Sequence, residues 1–458
     1  MDKQQNNMNR WQRRVFATVW ITYFMYYFCR YNMPVAKSSM CKAFDLSATD
    51  IGSVFSALLL MYAVGQFVNG QLGDRFGTRF ISTIGALGSA LMNLLIFIAV
   101  MVVPGAAISK ASLLTMLMIF WGANGFFQAM GWSPMVRVMA HWFPIRGRGK
   151  VMGLFGTCYQ FGAAFGQILA IFLVTNWVTK FGGDWRMVFL VPSIFLTSTG
   201  IFFGLSIRNQ PEDVGLPPVD EPEASLPGSP PKPSQAPKQS ILKNVKVTLT
   251  SPYLWIVAMT FFLLDVNRYG FVNWLPAYVD ATGVMGQAVE KGMLSKVMTI
   301  CIHPLAGSIG VIICGWATDR FFGGRRAPVI AMALVALGVF SIFFTYVDAA
   351  NTPLLVSIVA LIGFFTYGAH ILMVGHAAQD FGHKKGASGA AGFIDSMGYI
   401  GAALTGWGAG KMIDYFNAGD PSNLLGYRNT FMLAGICALI GAGLICILWN
   451  MRPQSKHE

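Results

Sequence analysis

The stretch "GQLGDRFGTR", Gly70 to Arg79, returns in altered form as "GWATDRFFGGRR", Gly315 to Arg326. Each follows an apolar run long enough to cross a bilayer, and each sets a glycine ahead of an Asp-Arg pair. One G-x-x-x-D-R turn is an ordinary loop. Two of them, each after the second apolar run of its half, mark a duplicated unit of the kind from which membrane transporters are built. The glycine lets helices approach closely, while the Asp and Arg can cap helix ends and pair with a neighbouring helix.

The composition agrees with a membrane setting. Hydrophobic residues make up 54% of the 458 and charged residues 12%, and the mean hydropathy is +0.53. That leaves too little polar surface to cover a soluble globule. Apolar windows of about 20 residues, the length that spans a bilayer, recur six times between roughly 13 and 206 and six times between roughly 252 and 450. The expected fold is therefore an all-α membrane protein with twelve transmembrane helices in two six-helix halves. The first window has no small-residue cleavage site and is followed by many others, so a retained helix is expected there.

The net charge of +13 has a topological use. Loops carrying Arg75 and Arg79, Arg146, Arg148 and Lys150, Arg320, Arg325 and Arg326, and Lys384 and Lys385 alternate with less basic ones. By the positive-inside rule these loops and both termini are cytoplasmic. Asp74, Arg75, Asp319 and Arg320 then form a cytoplasmic gate. No basic soluble domain is present to suggest a nucleic-acid partner. The seven cysteines lie mostly within apolar runs and show no metal-ligand spacing. No nucleophile elbow, phosphate-binding GxxxxGK or HExxH is found, so an enzyme is not expected, nor a metal or other cofactor. The chain is expected to act as a monomer.

Between the halves the composition changes abruptly. "PEDVGLPPVDEPEASLPGSPPKPSQAPKQS", from Pro211, holds nine of the chain's 21 prolines. It reads as a tether, giving an N-terminal half 1–207, a cytoplasmic linker 208–250 and a C-terminal half 251–458.

A second echo is sharper. "CRYNMPVA" and "NRYGFVNWLP" each place Arg-Tyr inside an apolar helix, one span before the Asp-Arg turn of that half. An arginine in a lipid-buried segment costs a few kcal/mol unless it faces a partner, a water-filled cavity or a ligand. A parallel repeat brings Arg30 and Arg268 together about a pseudo-two-fold axis, where such transporters place their substrate. Pairing with buried acids is the alternative for either arginine.

These residues resemble the major facilitator superfamily and, within it, the organophosphate:inorganic phosphate antiporter family of glycerol-3-phosphate and hexose-phosphate transporters and sensors. The resemblance covers nearly the whole chain. It rests on "YYFCRYN", "FFQAMGWSPMVRVMAHWFP" with "RGRGK", "PEDVGLPP", "RYGFVNWLPAY", "GHKKGASGAAGF" and "SMGYIGA", in order. It implies a phosphate ester clamped by Arg30 and Arg268, inorganic phosphate as the exchanged partner, and a bacterial inner-membrane location. Tyr23, Tyr27, Tyr62, Gln128, Trp132, Tyr159, Tyr367 and Tyr399 fall on cavity-lining positions. Arginine suits the task, since its planar fork binds phosphate oxygens bidentately and stays charged.

The sequence departs from the family in four ways. A lysine common after the first arginine is Tyr31, and its acidic partners on the seventh and eighth helices are Asn273 and Pro304, which suggests a rebuilt outer gate. A second-helix lysine is Gln66. The fifth-helix histidine of glycerol-3-phosphate carriers is Tyr159. Two acids, Asp265 and Asp395, stand where the family usually has none. Asp265 lies three residues before Arg268, on the same helical face, and is expected to pair with it. Asp395 has no such sequence partner and is a candidate proton carrier. His303 and His370 also lie inside apolar spans and read as core residues. The function implied is secondary transport of a small phosphorylated metabolite by alternating access; alternatives are a sugar-phosphate sensor without flux and a proton-coupled symporter of another anion or zwitterion.

Overall fold

The computed structural model describes residues 3–102, 109–144, 148–219, 250–282, 289–348, 351–377, 387–417 and 423–450. Within these, the side chains of 67, 70, 71, 73, 74, 148–150, 289–295, 319, 375–377 and 387–391 lie outside the description.

All regular structure among the described residues is helical. The first half comprises α1 Lys3–Tyr26, α2 Phe28–Phe44, α3 Ala48–Phe76, α4 Thr78–Val102, α5 Lys110–Gln128, α6 Trp132–Trp142, α7 Arg148–Val174, α8 Asn176–Phe181 and α9 Met187–Ser206. The second comprises α10 Pro252–Ala281, α11 Val289–Phe322, α12 Ala327–Phe344, α13 Thr352–Ile371, α14 Ala387–Asn417 and α15 Leu425–Ile445. A π-turn, Leu372–Ala377, follows α13.

Among the described residues ten spans are long and apolar enough to cross a membrane: the part of α3 up to Gln66, α4, α5 with α6, α7 with α8, α9, α10, the part of α11 from Lys296, α12, α13 and α15. The pair α1–α2 and helix α14 complete two sets of six. Both are less apolar, because α1 opens on the polar "KQQNNMNRWQRR" and α14 carries Asp395, Lys411 and Asp414.

Across the halves α3 packs on α14, α7 on α11, and α2 on α10. Numbered as spans, these pairs are second with eleventh, fifth with eighth, and first with seventh. Adding six to one member and subtracting six from the other turns the first pair into the second. The interface therefore has the two-fold relation that the repeated Asp-Arg turns imply.

The α3–α14 seam is tight where both helices offer glycine. A β-carbon at Gly52 would collide with the carbonyl oxygen of Gly406. Ser56 Oγ donates to Ala403 O at 2.5 Å and accepts from Trp407 N at 2.9 Å. At the end away from the Asp-Arg turns, the Asp414 carboxylate accepts from Ala48 N at 2.9 Å and Thr49 N at 2.7 Å. An acid from one half thus caps the helix N-terminus of the other, where the helix dipole favours it.

The expected tether begins as packed structure. Pro211–Val214 forms a 3-10 turn, with Pro211 and Leu216 buried. Asp213 Oδ2 accepts from Asn209 N at 2.9 Å, and Asn209 Oδ1 accepts from Arg79 N at 2.9 Å, which fastens the turn to α4. Residues 220–249 of the linker lie outside the described residues.

Candidate functional site

The first span breaks where its arginine sits. Between α1 and α2, Tyr27 is a turn residue, with Tyr27 N bonded to Phe24 O and Arg30 N to Tyr27 O. Pro34 within α2 removes a further amide donor. Backbone carbonyls loosened this way need other donors in a bilayer, and a buried amide network supplies them. Asn93 Nδ2 (3.2 Å) and Asn124 Nδ2 (2.9 Å) both donate to Cys29 O. Gln128 Nε2 donates to Tyr26 O at 2.9 Å and to Ser89 Oγ at 2.8 Å, and Asn32 Nδ2 donates to Asn93 Oδ1 at 2.8 Å. From α7, Gly162 and Gly166 lie against Phe24, Tyr27 and Phe28, a close approach that a larger side chain would block. Gln128 is thus placed in a brace behind Arg30, its amide nitrogen committed to the backbone and to Ser89.

Arg30 is 5% exposed. Its Nη2 donates to Tyr269 Oη at 2.6 Å and, more weakly, to Tyr399 Oη at 3.3 Å, both from the other half. Its guanidinium lies over Tyr62 at 4.4 Å and Tyr27 at 5.5 Å from the ring centroids. Among the described residues, no carboxylate is within ion-pair distance of it.

Arg268 is 4% exposed. Its Nη1 meets His370 Nε2 at 2.9 Å. A guanidinium only donates, so Nε2 is the acceptor and the proton of this imidazole is on Nδ1. Asp265 Oδ1 stands 3.6 Å from Arg268 Nη1, an ion pair but beyond hydrogen-bond length. The expected Asp265–Arg268 pairing is therefore present, while the hydrogen bond goes to His370. The Arg268 guanidinium lies 5.0 Å from the Tyr367 centroid and 5.1 Å from that of Tyr269. Tyr269 joins the two arginines, its hydroxyl on one and its ring against the other.

The remaining predicted residues form an aromatic wall. Trp132 packs at 5.2 Å from Tyr23 and 5.9 Å from Tyr159. Tyr27 lies 6.1 Å from Tyr159, and Tyr159 lies 6.5 Å from Tyr367 of the other half. Tyr62 and Tyr399 meet across the halves at 4.3 Å. Tyr31 lines two narrow cavities, one with Arg30, Tyr269 and Asn273, the other with Gln167, His303 and Tyr367.

Asp395, one turn from Tyr399 on α14, is within electrostatic reach of Asp265, Arg268 and Arg30. Of the expected gate, Arg75 and Arg320 are exposed; the side chains of Asp74 and Asp319 lie outside the described residues.

The charges missing at Tyr31, Asn273 and Pro304 have counterparts nearer the end away from the Asp-Arg turns. Lys37 Nζ sits 3.3 Å from the Trp274 centroid. Asp280 takes Ser38 Oγ of the first half at 2.6 Å and the buried Lys296 of the second at 2.5 Å. Sequence reasoning missed Tyr269 and His370 as anchors of the arginines. For Tyr269 a signal existed, since tyrosine follows arginine in both copies; His370 stood out inside an apolar span, but nothing in the sequence placed it beside Arg268.

The family model described as Major Facilitator Superfamily matches residues 19–406 and 302–458. The glycerol-3-phosphate transporter of Bacillus subtilis (strain 168) is 32% identical over 453 residues, covering 98% of this chain and 94% of that one. The membrane sensor protein UhpC of Escherichia coli (strain K12) is 27% identical over 452 residues, with 98% and 94% covered. A bacterial homologue of the human lysosomal transporter Spinster, in its inward-facing and occupied conformation, superposes with a TM-score of 0.69 at 14% identity, covering 98% of this chain and 97% of that one, which shows the fold. With the arginines of its two repeats joined through Tyr269, the chain belongs to the major facilitator superfamily and, within it, to the organophosphate:inorganic phosphate antiporter family.

Proposed function

We propose that the protein moves a small phosphorylated metabolite across the bacterial inner membrane in exchange for inorganic phosphate, by alternating access about Arg30 and Arg268. The observation that carries this is a pair of buried guanidiniums, one on the first helix of each repeat, linked by one tyrosine. Burying them is costly, and a phosphate that takes hydrogen bonds from both forks offsets part of that cost. The anion draws the halves together and lowers the barrier between access states, and inorganic phosphate serves the return step. The relative named for glycerol 3-phosphate supports the substrate class.

Tyr27, Tyr62, Tyr159, Tyr367 and Tyr399 line the path, Tyr23 and Trp132 back it, and Gln128 acts through the brace that sets Arg30. Asp74, Arg75, Asp319 and Arg320 gate the cytoplasmic side, where the basic loops and both termini lie. One chain supplies both arginines, so a monomer is a complete carrier. The relative named as a membrane sensor favours a second reading, ligand recognition without flux.

Proteoliposomes loaded with inorganic phosphate test both. Uptake of labelled glycerol 3-phosphate or glucose 6-phosphate is expected in the wild type and should fall to background in Arg30→Lys and in Arg268→Lys, because an ammonium cannot reproduce the bidentate fork. Near wild-type uptake in both lysine variants removes the clamp. Binding without uptake selects the sensor.

A further inference from the structure

The centre holds two carboxylates that lie beside the arginines without a hydrogen bond from any described residue. Asp265 is 1% exposed, and neither of its oxygens accepts a hydrogen bond from any described residue. It is not needed to fix Arg268, whose hydrogen bond goes to His370. Around it stand further buried atoms without a hydrogen-bond partner among the described residues: Arg268 Nε and His370 Nδ1. Asp265 faces α14, where a β-carbon at Gly398 would lie 2.6 Å from its Oδ2. Gly398 is three residues from Asp395, so the two positions lie on one face of α14, and Asp395 is within electrostatic reach of Asp265. No hydrogen bond to Asp395 is found among the described residues.

A charge count shows what this asks of a ligand. Arg30 and Arg268 contribute two positive charges, Asp265 and Asp395 two negative ones, and His370 accepts a hydrogen bond in its neutral form. With both carboxylates ionised, the centre is balanced before any ligand arrives. A phosphate monoester brings about −2 at neutral pH, which two guanidiniums alone would neutralise and this centre would not. An uncompensated charge in a site of low dielectric is expensive. A ligand that carries its own cation halves that excess to about −1: the phosphate faces the arginines, and an ammonium faces the carboxylates, giving them the donors they lack.

We propose that Asp265 and Asp395 form an ammonium subsite beside the arginine clamp, and that the preferred substrate is a small phosphate monoester bearing a primary amine. This rests on the phosphate reading of Arg30 and Arg268 and goes beyond it in naming the second charge. The three donors of an ammonium suit two carboxylates approached from different helices, α10 and α14.

Matched probes test it. Binding to the purified full chain is measured by ligand-induced thermal shift and by competition, using glucosamine 6-phosphate against glucose 6-phosphate and ethanolamine phosphate against glycerol 3-phosphate. The amine member of each pair is expected to bind at least tenfold more tightly. Asp395→Asn, at a half-buried position, should reduce that preference to near unity and tighten binding of the amine-free member. Asp395→Glu should keep the preference, which separates a lost charge from a damaged fold. Equal binding within both pairs, or a preference that survives Asp265→Asn and Asp395→Asn alike, overturns the ammonium subsite and leaves the clamp intact. If none of the four probes nor inorganic phosphate binds, the clamp and the subsite fail together.

Discussion

Arg30 of the first half donates to the phenol oxygen of Tyr269 of the second at 2.6 Å, while the ring of the same tyrosine lies against Arg268. One side chain therefore senses both guanidiniums. Tyr269→Phe keeps the ring and removes the hydroxyl, leaving Arg30 with Tyr399 at 3.3 Å. A hydrogen bond to a charged group contributes about 1.5–3 kcal/mol. Stability in detergent should fall by about that amount, and the affinity for glycerol 3-phosphate by about tenfold. A phenylalanine variant that matches the wild type in unfolding and in ligand titration excludes Tyr269 as the bridge.

The amide brace should matter to Arg30 without touching ligand. In Asn93→Leu, Cys29 O keeps Asn124 but loses Asn93, and Asn32 Nδ2 loses its acceptor on residue 93. Hydrogen bonds within membrane helices contribute about 0.6–1.7 kcal/mol. A loss of about that size in stability is expected, with a weaker affinity because the broken span no longer holds Arg30 in place. Full retention of both would show that the helix break needs no brace.

Much of this centre was legible in the sequence. The repeated Asp-Arg turns gave the two halves, and the repeated Arg-Tyr gave both arginines and the span that carries each. What escaped was whatever only the fold brings together. The Arg30 contacts to Tyr269 and Tyr399 join residues 239 and 369 apart in the chain. Periodicity also hides the break at Tyr27, because one aromatic run continues from the end of α1 into the start of α2. Gln128 read as cavity lining, since a polar residue in an apolar span has no address until its acceptors are known. The same holds for Asp414, near the end of α14, whose role as the cap of α3 depends on a helix of the other half.

At the end away from the Asp-Arg turns, Asp280 holds Lys296, which is 1% exposed. Removing one partner of a buried ion pair leaves the other charge uncompensated and costs about 3–5 kcal/mol. Asp280→Asn should therefore be strongly destabilised in thermal unfolding. Adding Lys296→Met removes the stranded ammonium and should restore most of the loss. A double variant no more stable than Asp280→Asn alone would mean that Asp280 acts mainly through Ser38, across the halves.

The linker divides into a packed start and a remainder. Deleting ten residues within 221–247 should leave exchange unchanged, because loop closure depends only weakly on length. Deleting Pro211 to Leu216 removes the buried Pro211 and Leu216 and the turn fastened to Arg79, so stability should fall. Comparable loss of exchange from both deletions would assign the proline-rich stretch a role beyond tethering.

His370 positions Arg268, and the test of that role is a competition between its acceptor and Asp265. In the structure the Arg268 Nη1 hydrogen bond goes to His370 at 2.9 Å, while the Asp265 carboxylate waits at 3.6 Å. Without the imidazole, the guanidinium should close on Asp265, and a ligand phosphate must then compete with a carboxylate for the same fork. His370→Ala is expected to weaken glycerol 3-phosphate binding about tenfold, with a smaller change in the exchange rate at saturation. His370→Gln supplies a carbonyl acceptor and should recover most of the affinity. Adding Asp265→Asn to His370→Ala removes the competitor, so that variant should bind the amine-free ligand more tightly than His370→Ala alone, a coupling that a double-mutant cycle reads directly. If the two substitutions are simply additive, Asp265 does not compete for Arg268, and the imidazole is packing rather than a positioning group.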